Sequence, residues 1–109
     1  MRTTIRALLG VALLAAVAPA QAGESVDAAA VYADRCAKCH GETGRAESWR
    51  GRLFFAQDFS KDSFQSARSD EEILEKINRG PRIMPAYRDT LSLEQRKALV
   101  QLIRSFAKP

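Results

Sequence analysis

Cys36-Ala37-Lys38-Cys39-His40 is the stretch that decides how the rest of the 109-residue chain is read. Cysteines at i and i+3 on a helical turn share one face, so two thiols can reach the two vinyl groups of one haem. The imidazole that follows can then aim at the iron. Other uses of a cysteine pair fit less well. A closed zinc site takes about four protein ligands, whereas this chain offers two cysteines and one histidine. A thioredoxin-like dithiol opens a helix in a β-α-β setting, and the chain shows no convincing strand pattern. The reading therefore gives Cys36 and Cys39 to thioether links with one haem c, and His40 to the iron as proximal ligand.

A low-spin haem takes a second axial ligand. His40 is the sole histidine and the methionines are Met1 and Met84, so the soft donor left is Met84, in Ile83-Met84-Pro85-Ala86-Tyr87. Pro81 and Pro85 restrict the backbone around it, as suits a distal ligand held at a fixed distance. The competing readings are a gap-filling core methionine, with lysine or water at the sixth position. Histidine and methionine together leave no open position for oxygen or substrate, and a thioether favours Fe(II). The expected role is an electron carrier and not an enzyme.

Upstream, Arg2 and Arg6 give a positive start, Ala7 to Ala18 is apolar, Pro19 breaks the run, and Ala20-Gln21-Ala22 offers small residues where a signal peptidase reads. The expectation is a signal peptide over 1–22, cleaved after Ala22, and one domain over 23–109. The apolar run is well short of the roughly 20 residues that cross a bilayer, so no transmembrane segment is expected after processing and the protein is assigned to the periplasm. In such an oxidising compartment two cysteines pair by default, but their C-x-x-C-H spacing argues for haem. The net charge of +4 falls to +2 on processing, because residues 1–22 carry two arginines and no acid. The remaining basic residues are interleaved with acids, which argues against nucleic-acid binding. A domain this small, with modest apolar content, needs something besides side chains to fill its centre.

The expected fold class is all-α: three main helices plus long loops wrapped around one covalently attached haem. The first helix should run from about Ser25 to about Lys38, capped by Ser25 or Asp27, with Val31 and Tyr32 on its apolar face. From Gly41 to Ser69 no period persists, apart from a short helix near Lys61 to Ala67. The second main helix opens at Ser69 with a Ser69–Glu72 capping box, buries Ile73, Leu74 and Ile77, and stops at Gly80-Pro81. The third opens with a Ser92–Gln95 capping box and carries Leu99, Leu102, Ile103 and Phe106 on a core face. Trp49, Phe54, Phe55, Phe59, Phe64 and Tyr87 are expected to exclude water from the porphyrin, an act not separable here from ordinary core packing. Trp49, Arg50 and Arg52 are candidate donors to the haem propionates, or solvated surface groups.

Several of these stretches together resemble the class I c-type cytochromes, small monohaem electron carriers. They are Tyr32 four residues before Cys36, the run Cys36 to Gly41, Arg68-Ser-Asp-Glu-Glu-Ile73, Gly80, Met84-Pro85-Ala86-Tyr87, and Leu99 to Phe106. The resemblance covers all of 23–109. It implies the cytochrome c fold, with haem held between the first and last helices, which cross near its edge, His40 on one face and Met84 on the other. Two departures stand out. Ala28-Ala29-Ala30 occupies the region where such families carry a helix-crossing glycine, so the crossing should be less intimate. No proline lies between His40 and Pro81 to supply the carbonyl that orients the histidine ring, which leaves its acceptor open.

Lys38, Arg79, Arg82 and Arg88 bracket the site in sequence. A local positive face would steer encounter with acidic redox partners, a reductase and an oxidase or dehydrogenase; the plainer reading is a solvated face, with Asp89 inside the cluster. A monomer is expected. Two further readings stay open: a haem-bearing subunit permanently docked in a larger oxidoreductase, and a protein that binds a small ligand after Met84 dissociates.

Overall fold

In a computed structural model, which describes residues 10–12 and 26–109, the Asp27 carboxylate accepts the Ala30 N–H and opens helix α1 (Ala28–Arg35). Asp27 is thus the cap. Ser25 and the expected cleavage site lie outside the described residues. The helix expected to run to Lys38 is in fact two. At Cys36 the backbone turns to φ −115°, and a short α2 (Ala37–His40) follows. Both Cys39 N–H and His40 N–H donate to the Cys36 carbonyl, at 3.2 and 3.0 Å. The added i→i+3 bond tightens the turn that carries the motif.

The stretch after the motif is more ordered than its sequence suggests. Helix α4 (Asp62–Ala67) is the short helix expected there, but α3 (Trp49–Leu53) is an additional one, capped by the Ser48 hydroxyl on Gly51 N–H. Helix α5 (Asp70–Arg79) starts and stops as its sequence signals, with Ser69 accepting Glu72 N–H and Gly80 left-handed at φ 60°. Its capping box is only half closed: the Glu72 carboxylate lies 3.8 Å from the Arg68 guanidinium, and a cation competes for it against a neutral amide. Helix α6 (Leu93–Ser105) has the full box, Ser92 and Gln95 each accepting the other's backbone N–H.

Helix α6 is the centre of the domain. Leu99, Val100 and Ile103 are buried with Tyr32 of α1, Ile73 and Ile77 of α5, and Phe59, Tyr87 and Leu91 from the connections. Tyr32 carries the contact of α1 with the end of α6, its ring centroid 5.1 Å from that of Phe106, while Ala29 and Ala30 are exposed. Arg104 fastens α6 to its neighbours: it donates to the Asp70 carboxylate at 2.8 Å, the Gln65 carbonyl at 2.7 Å and the Arg68 carbonyl. The described residues are helical without strands, as expected for an all-α fold.

Candidate haem-binding site

The motif turn places Cys36 and Cys39 half-buried and not bonded to each other. Burial pushes the Cys36 thiol up to about 11, the opposite of the lowered value that makes a redox dithiol reactive. Among the described residues no group of three or more His, Cys, Asp or Glu converges as a metal cluster.

His40 is held from two directions. Its Nδ1 lies 3.1 Å from the Gln57 carbonyl, and its ring stacks on Phe59 with centroids 4.4 Å apart and planes 19° from parallel. Donation from Nδ1 fixes the tautomer and leaves the Nε2 lone pair for a metal. Burial lowers the imidazole pKa, against the Gln57 hydrogen bond, which raises it. The neutral form is therefore favoured, and neutral imidazole is the form that ligates. Gln57 thus supplies the acceptor that the missing proline left open. Sequence reasoning missed it because a main-chain carbonyl is offered by every residue type.

Helix α3 is seated directly on the motif. The Ser48 hydroxyl reaches the carbonyls of Lys38 and Cys39 at 2.8 and 2.9 Å, and a β-carbon on Gly51 would overlap the Cys39 carbonyl oxygen. Backbone there lies on backbone. Trp49, Phe54 and Phe55 are exposed, as are Leu53 and Ile83, whereas Phe59 and Tyr87 are buried and Phe64 half-buried. Phe59, Phe64 and Tyr87 are thus packed within the chain, whereas Trp49, Phe54 and Phe55 are presented at its surface. Arg50 stacks over Trp49, 4.8 Å from its ring centroid, and Arg52 is exposed.

Met84 is half-buried against the core cluster. Its loop folds back over the end of α5, where a β-carbon on Gly80 would overlap the Met84 carbonyl and the Pro85–Ala86 peptide. Only a glycine fits. Tyr87 anchors the loop, its N–H on the Ile77 carbonyl at 2.9 Å and its hydroxyl on the Arg35 carbonyl at 3.0 Å. On the histidine side, the Tyr32 hydroxyl donates to the Gly41 carbonyl at 2.7 Å. Lys38, Arg79, Arg82 and Arg88 are all exposed, and Arg79 is paired with Glu75 at 3.1 Å.

These residues suit a covalently held porphyrin: two thiols one turn apart, an oriented imidazole with one nitrogen spare, and outward apolar side chains on the segments flanking the motif. Fold and site together define a c-type cytochrome of the class I kind, and with it a haem-based electron-transfer domain. The chain belongs to the family described as cytochrome c oxidase, cbb3-type, subunit III, whose model matches residues 23–103. It is similar in structure to the KustC0563 c-type cytochrome, at 36% identity and a TM-score of 0.70, over 76% of this chain and all of that one. A tyrosine-to-phenylalanine mutant of that cytochrome is similar at 34% identity and a TM-score of 0.67, over 74% of this chain and 99% of the other. No curated protein matches the sequence.

Proposed function

We propose that residues 23–109 form an exported, periplasmic carrier of single electrons between redox proteins. One haem is attached through Cys36 and Cys39, with His40 and Met84 as axial ligands. When bound, the haem supplies a one-electron Fe(III)/Fe(II) couple. The observation that carries the reading is the His40 ring, fixed by Gln57 and Phe59 so that Nε2 is its free nitrogen, one residue from a same-face cysteine pair. Met84, in its proline-bounded loop, is the donor for the opposite face. Phe59 and Tyr87 keep water from the interior side, where a dry surround strengthens control of the potential.

A signal peptide ending at Ala22 fits a family match that itself starts at residue 23. Among the described residues no helix is long and apolar enough to cross a membrane. Lys38, Arg82 and Arg88, exposed near the motif and the Met84 loop in sequence, would draw an acidic partner to the haem edge, with Arg79 partly neutralised by Glu75. One observation favours a second reading. The family description names an oxidase subunit, so a domain permanently docked in a larger oxidoreductase is the alternative to a diffusing carrier.

Optical spectra of the exported protein test the ligand set. Sharp c-type bands on dithionite reduction, unmoved by carbon monoxide, with a weak near-infrared sulfur-to-iron band when oxidised, are expected. A spectrum shifted by carbon monoxide would move ligand sensing ahead of electron carriage, and no haem spectrum would end the reading. Gel filtration of the native extract separates a free carrier from a subunit that travels with a large complex.

A further inference from the structure

Every hydrogen bond that links Pro81–Thr90 to the rest of the described chain is made by one residue, Tyr87. Its N–H donates to Ile77, its carbonyl accepts from Leu91 N–H, and its hydroxyl donates to Arg35 across 52 residues of sequence. Within the loop itself the hydrogen bond is local, from Met84 N–H to the Pro81 carbonyl at 3.2 Å. The loop also carries Arg82 at φ 57°, a left-handed conformation that a non-glycine residue adopts under strain. A strained segment with one buried anchor is held on by that anchor.

We propose that Tyr87 is a positioning residue for Met84: its hydroxyl, donating to the Arg35 carbonyl beside Cys36, latches the methionine loop to the haem-attachment turn and sets how readily Met84 yields its place. This rests on Met84 being the distal ligand. The Ile77 and Leu91 bonds fasten Tyr87 only to neighbouring chain, the end of α5 and the lead into α6. The hydroxyl alone among its hydrogen bonds reaches the motif. Removing it frees the loop from the residue that precedes Cys36 without breaking a helix.

Tyr32 provides the matched control, because it too is a buried tyrosine and likewise donates its hydroxyl to a backbone carbonyl, that of Gly41. The experiment titrates imidazole into the ferric holoprotein and follows bleaching of the sulfur-to-iron band, with urea unfolding run in parallel. Tyr87→Phe should bind imidazole roughly fivefold more tightly than wild type, the worth of one intramolecular hydrogen bond, or lack the band before any imidazole is added. Tyr32→Phe should lose comparable global stability and keep wild-type imidazole affinity. Unchanged affinity in Tyr87→Phe, or an equal rise in Tyr32→Phe, overturns the latch. A wild-type protein with no sulfur-to-iron band overturns the Met84 assignment, and the latch falls with it.

Discussion

Gly51 and the Cys39 carbonyl are in such close contact that there is no room for a side chain between α3 and the motif turn. Two effects of Gly51→Ala oppose each other. Alanine is the better helix former by about 1 kcal/mol, but overlap in a packed contact costs about 1–3 kcal/mol. Since the obstructing atoms are backbone, overlap should win, and guanidinium unfolding of the holoprotein should show a net loss. A stabilised variant would mean that α3 is free to shift off the motif.

Met84→Ala removes the soft donor while leaving His40 and both cysteines in place. The reduction potential should fall by on the order of 0.1 V or more, a part of the roughly 0.8 V that axial ligands command. The ferrous protein should also begin to bind carbon monoxide. Voltammetry and a carbon monoxide difference spectrum check this; an unchanged potential would assign the sixth position to another group.

Gln57 acts on His40 through its main chain, and its side chain is exposed. Gln57→Ala should therefore leave the reduction potential and reduced spectrum as they are, with stability inside the usual 0.5 kcal/mol or so of an exposed substitution. A marked shift in potential would show that the amide side chain takes part.

Arg104 holds the Asp70 carboxyl below its ordinary value of 3.8, chiefly by hydrogen bonding to it, against partial desolvation. A group depressed on folding adds stability above its unfolded pKa, and that stability is lost as the pH falls through the lower folded value. In Arg104→Met this acid-side loss should shrink to what the Gln101 hydrogen bond to Asp70 still supplies, so the stability curve becomes less steep below about pH 4 while lying lower at neutral pH. Urea midpoints across the acid range measure both. An unaltered slope would leave Asp70 uncoupled from α6.

Much of this molecule can be read from side-chain types, because caps and breakers are chemical. Ser69, Ser92 and Gly80 mark their helix ends in sequence and do so in the structure. The expectation of haem attachment at Cys36 to His40 rests on spacing alone. What sequence conceals is whatever the backbone does. The break at Cys36 is a change of φ and ψ, and α3 is too short for a hydrophobic period to show. The acceptors of the His40, Ser48 and Tyr87 hydrogen bonds are all main-chain carbonyls. Gly51 brings backbone, not a side chain, against the motif, a close approach that no hydrophobic pattern records.

The carbonyls of Arg35, Lys38, Cys39, His40 and Gly41 each receive a hydrogen bond from outside the turn, from Tyr87, Ser48, Ala46 and Tyr32. These bonds close loops of unequal length, and closure grows more expensive entropically with the number of residues enclosed. Ser48 closes over 9 or 10 residues and Tyr87 over 52. By this measure α3 is tied to residues 35–41 at a lower entropic cost than the methionine side is.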